Sequence, residues 1–205
     1  MEPNWLTWAR KLQAIGQNGL TYSKDPFDIE RFEELRELAL EILQNYTDSD
    51  LPRIRDLFAG EHGHATPKVD VRGVVFNEDA ILLVRERADG KWTLPGGWVD
   101  VNESPSESVV REVFEESGYQ AKALKLLACY DRNRHPHPPH PYHVYKLFFH
   151  CEILGGSPST SYETDGVDFF KQDAIPELST GRVTSAQIDR FFEFLRSPDL
   201  PTDFD

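Results

Sequence analysis

The stretch LPGGWVDVNESPSESVVREVFEESGY, from Leu94 to Tyr119, decides the fold of this chain. It starts with a glycine pair and then carries five glutamates and one arginine before the next glycine. Carboxylates this close together repel one another, so either water or a cation has to meet their charge. The position of each glutamate along the stretch helps to separate these two possibilities.

A helix is predicted from Pro105 to Ser117. Ser104 has the hydroxyl of an N-cap, proline occupies the first helical position, and Glu107 is the capping-box glutamate three residues after the cap. Gly118 supplies the left-handed residue that commonly ends a helix. The acidic part of the stretch is therefore helical, and the glycine pair lies in the loop before it.

Three glutamates of this helix, Glu112, Glu115 and Glu116, share one face because they are spaced i, i+3 and i+4. Arg111 lies four residues before Glu115, where it can orient a carboxylate. Most charge runs of this kind are solvated helix faces, but that reading does not explain the neighbouring glycine loop. A hard cation such as Mg2+ prefers oxygen ligands and usually shares its site with substrate phosphates. The pattern therefore favours a metal site.

The same residues carry a family resemblance. Gly97, five residues, Glu103, seven residues and then REVFEESGY resemble the Nudix box, the signature of the Nudix hydrolases. Every fixed position is filled, and only the last one, where an aliphatic residue is common, holds Tyr119. The resemblance implies an α/β fold, an α/β/α sandwich with a mixed β-sheet, over residues 66–205. A small N-terminal helical domain would precede it over residues 1–65.

The resemblance also implies a reaction and a set of roles. Nudix hydrolases use Mg2+ or Mn2+ to cleave a nucleoside diphosphate linked to another group. Arg111 would orient the carboxylates that bind the metal. The implied metal ligands are Gly97 (through its carbonyl), Glu112, Glu115 and Glu116, and the supporting motif positions are Gly96, Glu103 and Gly118.

Two glutamates are candidates for the base that takes a proton from the attacking water. Glu112 is the candidate within the box. Glu163 is the second, because SYETDGVDFF resembles the acidic loop that approaches the metals in several family members. A solvated loop residue is the alternative reading of Glu163, and both candidates stay open.

The N-terminal stretch WLTWARKLQAIGQNGLTYSKDPFDIERFEELRELA is similar to the helical extension of a bacterial Nudix subfamily. That subfamily is labelled ADP-ribose pyrophosphatase and includes CDP-choline pyrophosphatases. The resemblance implies a homodimer and favours cleavage of CDP-choline to CMP and phosphocholine. ADP-ribose hydrolysis, action on RNA ends and non-catalytic nucleotide sensing are the alternatives. Helical periodicity predicts helices over residues 4–18, from Asp28 as N-cap to about residue 46, and over about 51–58.

The rest of the chain alternates strand-like runs with a closing helix. VDVRGVVFN and AILLVRERA predict a hairpin, and the nearly continuous apolar run in YHVYKLFFHCEIL predicts a central strand. TSAQIDRFFEFLR predicts a helix capped by Thr184, and SPDLPTDFD predicts a frayed tail. This mixture indicates a mixed sheet with helices on its faces.

Three arginines, Arg132, Arg134 and Arg182, are candidates for contacts with substrate phosphate, against the more frequent reading of ordinary surface charge. The first two lie in DRNRHPHPPHPYHVY, which is also rich in histidine. Interleaved prolines favour an extended loop, and histidines on alternate sides of such a loop rarely converge on one zinc ion. A loop at the rim of the substrate site and a plain surface loop are the remaining readings.

Composition sets the outer limits. The chain has 205 residues and a net charge of −13. Such a charge argues against binding of long nucleic acid over an extended surface. It is compatible with a small nucleotide substrate or a short RNA end. No apolar run is long enough to cross a bilayer, and the first residues lack a signal-peptide core. With only two, widely spaced cysteines, the expected location is the cytoplasm.

Overall fold

The computed structural model describes residues 3–47 and 51–205 and divides the chain into two compact units. The first unit contains the residues up to Pro67 together with Pro139–His143, and the second contains Lys68–Pro138 and Val144–Asp205. None of the described helices is both long enough and apolar enough to cross a membrane.

The first unit is helical, with α1 over Asn4–Tyr22, α2 over Pro26–Asn45 and α3 over Leu51–Ala59. Two sequence predictions about it are wrong. The first helix continues past residue 18, because Gly16 and Gly19 leave the space that Phe32 and Arg36 of α2 fill. The second helix is capped by Asp25, which accepts from the N–H groups of residues 27 and 28, and Asp28 is already inside the helix.

The second unit is built on a mixed sheet, which has seven strands within the described residues. The strand order is β3-β2-β1-β5-β4-β7, and β6 pairs with β2. The predicted hairpin is the antiparallel pair β1–β2, and the predicted central strand is β5, which runs parallel to β1. The strands are β1 Lys68–Asn77, β2 Ala80–Glu86, β3 Trp92–Thr93, β4 Tyr119–Asp131, β5 Val144–Gly156, β6 Thr164–Lys171 and β7 Asp203–Phe204.

Two helices cover the sheet on opposite faces. The acidic helix α4, Pro105–Ser117, buries Val109 and Val113 against one set of strand side chains. The closing helix α5, Ser185–Arg196, buries Phe191 against the other set. Alternate residues of β1 point to the two faces, as the two-residue period of a strand requires. This arrangement is the expected α/β/α sandwich.

The C-terminal tail is ordered, and the prediction of a frayed end is wrong. Residues 203–204 form β7, which pairs with β4 at Ala128 and Cys129. The Asp203 carboxylate accepts hydrogen bonds from the Tyr130 hydroxyl at 2.9 Å and from Arg190 at 2.7 and 2.8 Å. A buried tyrosine and an arginine on α5 therefore hold the tail to the sheet.

Gly73 of β1 gives the first testable prediction, because a Cβ there would lie 2.4 Å from Cγ2 of the buried Val113. Val113 is stiff at χ1 and cannot move away without disturbing α4. We expect Gly73→Ala to lower the free energy of unfolding by about 1–3 kcal/mol, measured by urea denaturation. Gly155→Ala in β5 is the matched control, since its Cβ would meet its nearest neighbour at 3.7 Å. Equal stability of the two variants would contradict the prediction.

Candidate active site

The glycine loop, residues 94–99, lies alongside β1 through three backbone hydrogen bonds, one of which runs from the N–H of Val99 to the carbonyl of Val69 at 3.0 Å. The N–H of Val71 donates to the carbonyl of Gly97, and the N–H of Gly73 donates to the carbonyl of Pro95, both at 2.8 Å. Gly96 has φ 144°, and a Cβ on it would lie 2.0 Å from the carbonyl oxygen of Val71. Only glycine fits so close to the strand in this conformation.

The acidic helix meets this loop where the sequence predicts it. Ser104 and Glu107 form the predicted capping box, and Gly118 ends α4 with φ 78°. A Cβ on Gly97 would lie 2.9 Å from Oε1 of Glu112, so the glycine leaves the space that the carboxylate occupies. The loop and the helix therefore present the Gly97 backbone and the Glu112 side chain to the same point.

Arg111 gathers three of the motif carboxylates. Its Nε lies 3.0 Å from Oε1 of Glu103, and its Nη1 lies 3.0 Å from Glu112 and 2.9 Å from Glu115. Hydrogen bonding to Glu103, with the charge of Glu112, raises the pKa of the Arg111 guanidinium. Burial raises the pKa of Glu112 in spite of this arginine.

Glu116 is the most buried carboxylate of the motif, with 4% of its surface exposed. It accepts a hydrogen bond of 2.9 Å from the N–H of Gly96. Burial raises the pKa of Glu116 to about 8; Arg72 and the Gly96 N–H oppose that shift, whereas the charges of Glu86 and Glu112 add to it. The position is therefore short of positive charge.

The motif residues fit a hard cation in chemistry, although their side chains are paired with other groups. Among the described residues, no three carboxylate, histidine or cysteine side chains are arranged to hold a metal ion. Arg111 engages Glu112 and Glu115, and the Gly97 carbonyl already accepts one hydrogen bond. The donor set is nevertheless all oxygen, which Mg2+ and Mn2+ prefer, and the buried Glu116 lacks a full counter-charge. Arg111 engages only one oxygen of Glu112 and one of Glu115, so the second oxygen of each carboxylate is available to an ion while the arginine stays in place.

Glu163, the second candidate base, precedes β6. Its side chain is exposed, and its carbonyl accepts from the N–H of Arg87 at 2.8 Å. The next residue, Thr164, donates its hydroxyl to the carbonyl of Glu116 at 2.9 Å. The hydrogen bond of Thr164 brings the loop of Glu163 next to the end of α4.

The three candidate phosphate-binding arginines are placed differently. Arg182 pairs with Glu86 at 2.8 Å, and the buried Arg132 donates to the carbonyl of Gly181 at 3.4 Å, so these two arginines lie at the same loop. Arg134 is largely exposed, and its nearest carboxylate is Asp131 at 3.9 Å.

Sequence reasoning missed a buried charged cluster on β1 and β5. Arg72 binds Asp70 through two hydrogen bonds of 3.1 and 2.7 Å and donates to the carbonyl of Leu94 at 3.2 Å, while Lys146 also binds Asp70. Burial lowers the pKa of Lys146 to about 8, against the attraction of Asp70. The alternation of charged and apolar residues in VDVRGVV was the available signal.

The histidines do not converge on a zinc site. His135 faces Asp205 at 3.2 Å, and His140 belongs to the helical unit. His137 has Nδ1 2.7 Å from the carbonyl of Thr180 and Nε2 3.3 Å from the amide nitrogen of Gln187. These partners require Nδ1 to donate and Nε2 to accept, so the ring is neutral.

His137 gives a prediction about pH. Burial lowers the pKa of His137 to about 4, so the unfolded chain binds this proton more readily than the folded chain does. The stability that depends on the neutral ring is complete above pH 6.5 and is lost as the pH falls from about 6.5 to 4. We expect His137→Asn to flatten the fall in unfolding free energy over this range, measured by urea denaturation. His62→Asn, at an exposed histidine, is the control. A wild-type slope in the His137 variant would contradict this account.

Comparison with known protein families explains the arrangement. The profile of the NUDIX domain matches residues 66–190. The chain belongs to the Nudix hydrolase family. The profile of the UDP-X-like, N-terminal oligomerisation domain matches residues 3–58.

Relatives of this Nudix hydrolase extend over its whole length. It is 47% identical over 205 residues, covering all of this chain and 99% of the relative, to "Putative ADP-ribose pyrophosphatase YjhB" of Bacillus subtilis (strain 168). A crystal structure of UDP-X diphosphatase has 34% identity and a TM-score of 0.65, with 98% of each chain covered. An ADP-ribose pyrophosphatase from Streptococcus suis 89-1591 has 41% identity and a TM-score of 0.63, covering 68% of this chain and all of the other.

Proposed function

We propose that this Nudix pyrophosphohydrolase uses Mg2+ or Mn2+ to hydrolyse a nucleoside diphosphate linked to a second group. The observation that carries the proposal is the contact of the Glu112 carboxylate with Gly97, beside the buried Glu116, at a glycine loop fixed to β1. An oxygen-rich, charge-deficient position of this kind suits a cation that is shared with a diphosphate.

The residues of the site divide between binding the ion and orienting its ligands. Glu112, Glu115, Glu116 and the Gly97 carbonyl would hold the ion. A bound ion polarises the diphosphate and lowers the pKa of a coordinated water. Arg111 keeps Glu112 and Glu115 on the loop side of α4 through hydrogen bonds of 3.0 and 2.9 Å.

Two carboxylates are proposed as alternative bases for the attacking water. Glu112 lies against the glycine loop and is half-buried or more, which favours a raised pKa and a proton-accepting role. Glu163 is exposed on a loop tied to β2 and lies close enough to influence Glu86. Because Glu112 is also a proposed metal ligand, Glu163 is the carboxylate that is free to take a proton.

Similarity to named proteins supports ADP-ribose as the first substrate to test, because the full-length B. subtilis relative and the S. suis structure both carry that name. Water would then add across the diphosphate to give AMP and ribose 5-phosphate. A UDP-linked substrate is the second candidate, favoured by the match of the N-terminal unit and by the UDP-X diphosphatase structure. CDP-choline stays a prediction that rests on the N-terminal resemblance.

The test of the proposed function is product identity with Mg2+ present. We expect AMP and ribose 5-phosphate from ADP-ribose, with UDP-linked sugars and CDP-choline as the comparison substrates. Glu116→Gln should lower kcat by about two orders of magnitude or more, because a neutral amide cannot replace a carboxylate ligand. It should also weaken Mn2+ binding, measured by electron paramagnetic resonance.

The control for this variant is Glu107→Gln on the same helix. Glutamine preserves a capping box, so this change should leave turnover and Mn2+ affinity at wild-type values. Near-normal turnover in a folded Glu116→Gln protein would contradict the proposed metal site. Release of no product from any substrate by the wild-type protein, with Mn2+ also tried, would favour a nucleotide sensor.

We also propose that the helical unit forms the interface of a homodimer, consistent with its match to an oligomerisation domain. Along α1, Trp8, Ile15 and Tyr22 recur every seven residues and therefore lie on one face. Their exposed fractions are 60%, 42% and 66%. A stripe of large apolar side chains left in water is typical of an interface.

Trp8→Glu tests the interface. A charge in this apolar stripe should convert the dimer to monomers, with a roughly halved mass in light scattering. Leu154→Glu on β5 is the control, because Leu154 is also an exposed apolar residue, at 65%, but lies in the other unit. A Trp8→Glu protein that keeps the wild-type mass would place the interface elsewhere.

A further inference from the structure

Glu86, the last residue of β2, is a buried carboxylate that sequence reasoning did not single out. It is 4% exposed and pairs with Arg182, whose Nε lies 2.8 Å from its Oε1. Burial raises the pKa of Glu86, and the charges of Arg182 and Arg72 oppose that shift. A carboxylate is costly to bury, so this one requires a reason beyond packing.

A β-bulge in β6 lies opposite the Arg85–Glu86 step of β2. In the pairing of β2 with β6, Arg85 lies opposite Gly166 and Glu86 lies opposite Thr164, so Asp165 has no partner in the ladder. Bulges re-aim side chains and are frequent next to active sites. The irregularity here occurs where Glu86 pairs with Thr164, the residue of β6 that contacts the end of α4.

One backbone and one side-chain hydrogen bond place Glu86 among the carboxylates of the site. The following residue, Arg87, donates its N–H to the carbonyl of Glu163, and Thr164 donates its hydroxyl to the carbonyl of Glu116. Glu86 is accordingly close enough for its charge to affect Glu116, and the charge of Glu163 affects Glu86. Its partner Arg182 is therefore held at the edge of the proposed diphosphate site.

Arg182 is fixed on one side only. Its Nε pairs with Glu86, and its Nη1 donates to the hydroxyl of Ser179 at 2.9 Å and lies 3.5 Å from Asp89. Among the described residues Nη2 makes no hydrogen bond, and 32% of the side chain is exposed. The guanidinium is thus oriented by protein on the Nε–Nη1 side and is open on the Nη2 side.

Arg190 shows what a purely structural arginine looks like in the same fold. Its side chain is also 32% exposed, but all three of its nitrogens are engaged. Nε and Nη2 bind Asp203 at 2.7 and 2.8 Å, and Nη1 binds Glu193 at 2.5 Å. Two arginines with equally exposed side chains therefore differ in their hydrogen bonds, so exposure alone does not explain why Nη2 of Arg182 has no partner among the described residues.

We propose that Glu86 is a positioning residue that holds Arg182 so that the Nη2 side of the guanidinium binds a phosphate oxygen of the substrate. A planar guanidinium with a fixed orientation matches phosphate geometry better than a mobile cation does. The inference rests on the proposed function, which places a diphosphate at the Glu112–Glu116 face of α4. Glu86 acts through Arg182 and does not touch the substrate.

The experiment measures equilibrium binding of α,β-methylene-ADP and α,β-methylene-UDP by calorimetry with Mg2+ present. These analogues keep the diphosphate charge but cannot be hydrolysed between the two phosphorus atoms. Arg182→Gln should weaken binding about 10-fold or more, because a charge-assisted hydrogen bond is lost. Glu86→Gln should weaken it by a similar factor, and the double variant should bind no more weakly than the worse single variant, since both changes remove one interaction.

Two further variants keep the test specific. Arg182→Lys retains the charge without the planar fork and should also weaken binding, which a general electrostatic effect would not produce. Arg190→Gln, the matched control, should bind both analogues with the wild-type Kd. Kinetics with the hydrolysed substrate should show an increase in KM larger than any fall in kcat for Glu86→Gln, a split that a general loss of structure would not give.

Each outcome is decisive. Wild-type binding in a folded Arg182→Gln protein overturns the phosphate contact, and additive losses in the double variant overturn the positioning role of Glu86. If Glu86→Gln fails to fold, the comparison of Arg182→Gln with Arg182→Lys still decides the contact. A wild-type protein that binds the analogues but hydrolyses nothing defeats the proposed function and leaves this test valid. One that binds neither the analogues nor inorganic pyrophosphate defeats both.

Discussion

The backbone hydrogen bonds between β1 and the glycine loop are the interaction on which the site depends. Val71 and Gly73 donate to the carbonyls of Gly97 and Pro95, which fixes the loop on the strand. The missing side chain at Gly73 also lets Val113 bring α4 onto the same strand. One strand therefore positions both halves of the site, and the carboxylates of α4 cannot leave the loop without disturbing the core.

Charge is the second constraint, because several carboxylates lie within a small volume. Arg111 forms hydrogen bonds with carboxylates on the open side of α4. The charge of Arg72 acts on the buried Glu116, and Arg182 pairs with the buried Glu86. Arginine suits this purpose because it stays protonated when buried. Even so, burial keeps the pKa of Glu116 raised to about 8, so the protein's own cations do not fully balance the site.

Local features of this fold could be predicted from the sequence, and features that depend on distant partners could not. Ser104 and Thr184 cap their helices as predicted, because a capping box lies within four consecutive residues. The predicted start of α2 was wrong because Asp25 and Asp28 both offer a capping carboxylate. The proline directly after Asp25 favours Asp25 as the N-cap. The proposed role of Glu86 depends on an arginine almost a hundred residues away, which no local pattern reports.

The site cannot form during folding before β1 pairs with β5. This parallel pairing joins positions such as Lys68 and Val144, and the whole glycine loop and α4 lie between them in sequence. Closing so long a segment is slow, whereas a capped 13-residue helix forms within about a microsecond once its turn is nucleated. Until this pairing forms, the acidic helix lacks the strand that gives its carboxylates a common target. The oxygen-rich site is complete only once this long-range pairing has formed.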